Sequence, residues 1–329
     1  MKNPPSARSA SPREASTRRR GLGSLTARPT SEQSLLLTVM VALFAFGAVM
    51  VYSASSASSA LGAGGDSLHY LKRYVILGLL GWAALHYCAR VSLERVRQAT
   101  PIFLGIAFLL LILVKVPGIG VEVNGAQRWL GAGIFQFQPS EVAKLALVLY
   151  AAMLIAKNPE RVRTLATLAN PLLYVCGGVI ALIALQPDLG TDLVVCATLF
   201  AILMASGARM KDLAKLAGGL FVLALIFSII EPYRMARLTA FLHPGSDLGV
   251  TGFQADQARI AIGSGGIFGT GIGESVQKVF YLPEAHTDMI LAVIGEELGL
   301  MGITGLGLMY FAVAFAGLRA AKNSRDMYA

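Results

Sequence analysis

Residues 288–318, DMILAVIGEELGLMGITGLGLMYFAVAFAGL, decide the fold. As one helix this run would be about 45 Å long, well beyond the roughly 30 Å of hydrocarbon in a bilayer. Because Gly299 to Leu318 nearly spans alone, the stretch before it is expected at or above one membrane surface. It would carry Asp288, Glu296 and Glu297 into a protein-walled cavity. A carboxylate at a membrane surface costs free energy unless protein, water or a ligand solvates it. Asp288, preceded by His286 and Thr287, is therefore the leading candidate for chemistry. On an ideal helix Glu296 falls about 80° around from Asp288 and Glu297 about 180°. Only Glu296 is then expected to share the cavity directly; the plainer role for either acid is to bind a neighbouring helix or polar backbone.

The rest of the chain follows the same pattern. Hydrophobic residues make up 55% of the 329 residues and charged residues 14%, with a mean hydropathy of +0.63. A water-soluble globule of this size could hardly cover so much apolar surface, which points to an all-α polytopic membrane protein. Eight runs are long and apolar enough to predict spanning helices: Leu35–Tyr52, Leu71–Ala89, Thr100–Val116, Pro139–Ala156, Leu168–Gln186, Leu189–Ala208, Leu213–Ile230 and Asp288–Leu318. A Ser-rich loop is expected after Tyr52. Residues 1–34, rich in Ser, Pro and Arg, lack a packable apolar pattern and read as a disordered basic tail ahead of a membrane domain over 35–329.

Basic residues sort by side. Seven lie in the N-terminal tail, and three each follow the second, fourth, sixth and eighth runs. This predicts a cytoplasmic N-terminus. The 57 residues from Glu231 to Thr287 carry only Arg234, Arg237, Arg259 and Lys278, so 231–287 is expected to be a large extracytoplasmic loop. The +9 net charge follows largely from this sorting and gives no reason to expect nucleic acid, whereas Arg18, Arg19 and Arg20 could touch anionic lipid. Cys88, Cys176 and Cys196 fall inside predicted helices without metal or disulfide spacing. The glycines between Gly263 and Gly273 follow no strand, so they read as tight turning and close packing rather than as a nucleotide loop.

Other candidates face the same side as Asp288. The loop from Pro117 to Gln138 carries Trp129, Phe135 and Phe137, suited to the headgroup layer. Arg128 offers a planar fork for diphosphate oxygens or lipid headgroups. Pro139 suits the first turn of a helix that places Glu141 and, one turn deeper, Lys144. Lys144 must pair with Glu141 or meet an anion such as phosphate. Pro187 and Asp188 favour helix initiation before Leu189. His286 and Glu296 complete the group that would line a cavity with Asp288, while Asp188, Glu297, Gln277 and Lys278 are expected to be structural or to line its edge.

These residues resemble the SEDS family (shape, elongation, division and sporulation). The resemblance rests on NGAQRW at 124–129, QPSEVAKLAL at 138–147, QPDLGT at 186–191, GESVQK at 273–278, YLPEAHTD at 281–288 and GEELG at 295–299. YLPEAHTD, GESVQK and the long basic tail are closer to the division branch than to the elongation branch. The resemblance implies a ten-helix fold of which this chain carries eight predicted helices, the last two of the family being absent. It implies a glycosyltransferase that polymerises lipid II into β-1,4 glycan strands at the outer face of the bacterial cytoplasmic membrane, at the septum. Its partners would be a class B penicillin-binding protein and other division proteins.

The resemblance also implies that Asp288 corresponds to the family's essential aspartate. Joining a sugar hydroxyl to a diphosphate-linked sugar needs a base for the acceptor and positive charge for the leaving group. One carboxylate suffices, because a diphosphate departs as an anion and needs no acid. Arg128 and Lys144 would supply charge, alone or with a divalent metal; no cofactor is otherwise implied and no metal ligands are assigned. A lipid II flippase or a non-catalytic division scaffold are the other readings, the first needing polar access from both faces.

Overall fold

The computed structural model describes residues 31–61, 65–123, 126–131, 136–160, 167, 169–230, 235, 250–279, 281–324 and 326–328. The tail before Ser31, Phe135, Arg234, Arg237 and the basic residues Arg161, Arg163 and Arg325 lie outside them. In chain order come α1 (Ser31–Leu61), α2 (His69–Cys88), α3 (Leu93–Leu113), β1 (Gly120–Val123), β2 (Ala126–Leu130), α4 (Pro139–Lys157), α5 (Tyr174–Ala184), α6 (Leu189–Ala205), α7 (Met210–Ile230), α8 (Val250–Gly265) and α9 (Ile290–Asn323). Each expected apolar run overlaps one helix, α1 to α7 and α9. By length and composition, α1, α3, α4 and α9 are the four that can cross a membrane among the described residues.

Three stretches differ from the sequence expectation. The Ser-rich segment after Tyr52 is not a loop but the last turns of α1, which runs to Leu61. Its hydroxyls bond back to the helix's own carbonyls, Ser55 Oγ to Val51 O at 2.6 Å and Ser58 Oγ to Ser55 O at 3.1 Å, so the polar run stays helical. The 117–138 loop contains an antiparallel hairpin, with Gly120 opposite Leu130 and Val123 opposite Ala126, extended by a bridge from Leu130 to Phe137. The 231–287 region carries helix α8 in its described part, and α8 packs on α9.

Two cores form. In the first, α3, α4, α5 and α6 meet through Leu104, Ala107, Leu111, Leu147, Val179 and Leu203. Ala143, Ala146 and Ala151 on α4 are fully buried, the small side chains that let helix backbones come close where apolar solvent gives no hydrophobic drive. In the second, Met50 and Ala54 of α1 pack with Ala261 of α8, Leu282 and Ala285 of the connecting loop, and Ala292, Val293 and Ile294 of α9. Glu32 also pairs with Arg319 at 3.1 Å, joining the start of α1 to the far end of α9.

Helix α9 breaks at Gly299, where φ is 64° and ψ −160°. Its first part, 290–298, and its second part, 300–323, are separate helical rods, labelled the outer and inner rod in chain order. The inner rod is about 36 Å long at 1.5 Å per residue, close to a full span. The break exposes backbone groups, and the chain leaving α8 satisfies them. Thr270 N donates to Glu296 O at 2.9 Å and Gly271 N to Glu297 O at 3.0 Å. In return Leu300 N donates to Gly266 O at 3.0 Å and Met301 N to Ile267 O at 3.2 Å. Such closeness requires glycine: a Cβ on Gly265 would strike Gly295 O, and one on Gly299 would lie 2.5 Å from both Gly269 N and Ile267 O. Irregular backbone is tolerated beside a membrane when protein supplies the missing bonds in this way.

Candidate functional site

Asp288 is not part of α9. It lies in the turn just before the outer rod begins at Ile290, and it is exposed. The turn is tight. Glu284 sits at φ 52°, a left-handed conformation uncommon for a residue with a side chain, and its carbonyl accepts from Thr287 N at 3.2 Å and Met289 N at 3.1 Å. Thr287 Oγ1 also donates to Glu284 Oε2 at 2.9 Å. His286, half-buried, lies against Tyr70 of α2 with ring centroids 4.0 Å apart. Burial pushes the His286 imidazole below its usual 6.5, against a smaller opposing pull from Glu284. The HTD segment thus rests on α2 and leaves the Asp288 carboxylate exposed.

The two glutamates lie at the other end of the outer rod and are buried, whereas Asp288 is exposed. The helical-wheel expectation for Glu296 assumed a helix starting at Asp288, which the structure does not have. Glu296, 2% exposed, turns to the segment before the HTD turn. It accepts from Ser275 Oγ at 2.5 Å, Val276 N at 3.0 Å and Gln277 N at 3.4 Å. Glu297, fully buried, meets Lys278 Nζ at 2.7 Å and accepts from Ser53 Oγ of α1 at 2.6 Å. Lys278 Nζ also donates to Gly273 O at 2.7 Å and to Ser53 Oγ at 3.2 Å. Gln277 takes part through its backbone, its carbonyl accepting from Leu282 N at 2.8 Å. A cavity of about 670 Å³ opens beside this network between α1 and the 272–281 segment, lined among others by Tyr52, Ser53, Ser56, Glu274, Lys278 and Tyr281. Asp288, Arg128 and Lys144 do not line it.

The remaining candidates form a second group around the hairpin and α6. Arg128 donates from Nε to Gln186 O at 3.0 Å and from Nη2 to Pro187 O at 2.5 Å. It holds β2 against the chain entering α6. Asp188 caps α6: it is buried, accepts from Thr191 N at 3.3 Å and Thr191 Oγ1 at 2.8 Å, and receives Gln138 Nε2 at 2.7 Å. Lys144 pairs with Glu141 at 2.7 Å, with side-chain exposures of 26% and 59%. Ser53 and Ser275 were not singled out from the sequence. Ser53 is one of several serines in the run after Tyr52 and Ser275 one position in GESVQK, and neither stands out from its neighbours without knowing what it faces. Among the described residues no group of three or more His, Cys, Asp or Glu side chains is gathered that could hold a metal ion.

Comparison with known proteins places this arrangement. The family profile for FtsW, RodA and SpoVE, described as cell cycle protein, matches residues 33–329. A probable peptidoglycan glycosyltransferase FtsW of Thioalkalivibrio sulfidiphilus is 45% identical over 288 residues, 87% of this chain and 72% of that protein. Stage V sporulation protein E of Bacillus subtilis is 35% identical over 306 residues, covering 92% of this chain and 83% of that protein. Among solved structures, a chain from a peptidoglycan synthase complex that coordinates polymerization and crosslinking superposes with a TM-score of 0.68 at 28% identity, over 89% of this chain and 79% of that one. Rod shape determining protein RodA of Thermus thermophilus superposes at 0.61 with 27% identity, over 89% and 76%. With the profile matched along nearly the whole chain and apolar spanning helices to match, this is a multi-pass membrane protein that belongs to the FtsW/RodA/SpoVE family of cell cycle proteins, the SEDS family.

Proposed function

We propose that this chain is a peptidoglycan glycosyltransferase that polymerises lipid II into β-1,4 glycan strands. It works at the outer face of the cytoplasmic membrane during septal synthesis, its N-terminus inside, beside a crosslinking partner of the class B penicillin-binding type. The observation that carries the chemistry is the exposed Asp288 at the mouth of the outer rod, on a turn tied down on both sides. The family supplies the substrate class, since its relatives include named peptidoglycan glycosyltransferases.

The residues support an inverting displacement. Asp288 accepts the proton of the acceptor's 4-hydroxyl while that oxygen attacks the anomeric carbon of the lipid-linked donor. The bond from that carbon to the diphosphate breaks, and the undecaprenyl diphosphate leaves with the electron pair. Lys144 is the cation we assign to the departing diphosphate. Its partly exposed pair with Glu141 is worth only about 0–1 kcal/mol, so a multiply charged diphosphate competes for it readily. Arg128 has five N–H donors, and its two bonds to the 186–187 carbonyls leave others to reach an anion; its first service is to hold the hairpin. His286, whose pKa burial lowers, orients the turn by packing on Tyr70.

The test is lipid II polymerisation by the reconstituted chain with its crosslinking partner. Asp288→Asn is expected to cut the rate by about 10²–10⁴ while leaving the folded fraction unchanged. Glycan strands made at the parental rate by Asp288→Asn would overturn the assignment, and lipid II translocation without polymer would favour a flippase.

A further inference from the structure

We infer that Lys278, Glu297 and Ser53 are positioning residues that hold Asp288 in its working place. The inference rests on the reading of Asp288 as general base. Chain 273–297 forms a closed ring. Its first part, 273–278, is clasped to its last part, 296–297, and Asp288 sits opposite the clasp at the far end of the outer rod.

The clasp is made twice over, by consecutive carboxylates that take neighbouring residues of the same segment. Glu296 takes Ser275, Val276 and Gln277, and Glu297 takes Lys278 and, through Ser53, anchors the ring to α1. Lys278 is saturated. Its ammonium has three donors, and Glu297, Gly273 and Ser53 accept all three. It therefore has nothing left for a substrate anion, although it borders a cavity. Its side chain is 5% exposed and that of Glu297 0%. Burying such a pair rarely stabilises a fold more than apolar side chains of the same volume would. What the pair supplies instead is direction: three bonds from one ammonium fix where 273–278 lies against both α9 and α1. The outer rod then transmits that placement, because it is a short rigid segment with the clasp at one end and Asp288 at the other.

Removing both charges together separates positioning from stability. In Lys278→Met with Glu297→Gln both charges go together, and melting of the full chain is expected within a few degrees of the parent. Polymerisation kcat is expected to fall about a hundredfold, as for a catalytic group displaced by about 1 Å, with KM for lipid II within about twofold. Amide exchange over 276–289 should accelerate at least about tenfold, with α3 and α4 unchanged, as local rather than global opening requires. Should the double variant not fold, Ser53→Ala leaves the ion pair in place and reads the same two signals, each in the same direction. Asp288→Asn, run in parallel, should lose kcat without any change in exchange over 276–289. A folded double variant with parental kcat, or with parental exchange over 276–289, overturns the inference. If Asp288→Asn polymerises normally, the general-base reading fails, and exchange alone still decides whether the clasp holds the turn.

Discussion

Gly299→Ala should be among the most damaging single-methyl additions in the chain. The backbone there has φ 64° and ψ −160°, a region that is essentially glycine-only and costs about 1–3 kcal/mol for other residues. The added carbon would also stand 2.5 Å from Gly269 N and Ile267 O, so the two chains must part. Parting them breaks the bonds from Leu300 N to Gly266 O and from Met301 N to Ile267 O, about 1 kcal/mol each. The expected loss is about 3–5 kcal/mol. SDS-titrated unfolding in bicelles, followed by circular dichroism, measures it. Gly305→Ala and Gly307→Ala are the controls: they lie in the same helix, their Cβ positions meet nothing within 4 Å, and alanine there should be neutral or stabilising by up to about 1 kcal/mol. A Gly299→Ala protein within about 1 kcal/mol of the parent would refute the broken-rod architecture.

Three further outcomes are expected. Asp188→Ala should lower stability by about 1–2 kcal/mol by uncapping α6, and Asp188→Asn should recover most of it because asparagine also caps; chemical unfolding checks both. Lys144→Ala should change stability by under about 1 kcal/mol but slow lipid II polymerisation about 10–100-fold if it meets the diphosphate; equal rates would remove it from the site. His286 has a folded pKa below the unfolded 6.5, so the unfolded chain takes up the proton first as pH falls. Stability from this group is intact above 6.5, declines as pH drops from there toward the lower folded value, and levels off below it. His286→Gln should flatten that part of the stability–pH curve.

The sequence carried the helices well, because twenty-residue apolar runs have few other ways to satisfy their backbone in lipid. It also marked Asp288, whose charge beside an apolar run demands an explanation. It misjudged α1 after Tyr52, since serines alternating with alanines look like a loop yet fold their hydroxyls onto the helix. The hairpin was legible in principle: Asn124-Gly125 between Val123 and Ala126 is a strong turn signal. Glu296 and Glu297 were harder. Which way each carboxylate points depends on a break at Gly299, and nothing local says which of many glycines will break a helix. That depends on α8 delivering Gly265 and Gly269 to the same place.

The bond between Ser53 and Glu297 joins residues 244 positions apart. During synthesis at roughly 5–20 residues per second, α1 waits about 10–50 s for that acceptor to emerge. Through that interval its Ser53 face and the Glu32 end have no α9 to rest on. Assembly of the second core is therefore a late event in biogenesis, and the nascent protein is most exposed to quality-control proteases before it. Mutations that weaken the α1 to α9 seam should lower the amount of protein in the membrane more than they lower the stability of molecules already assembled.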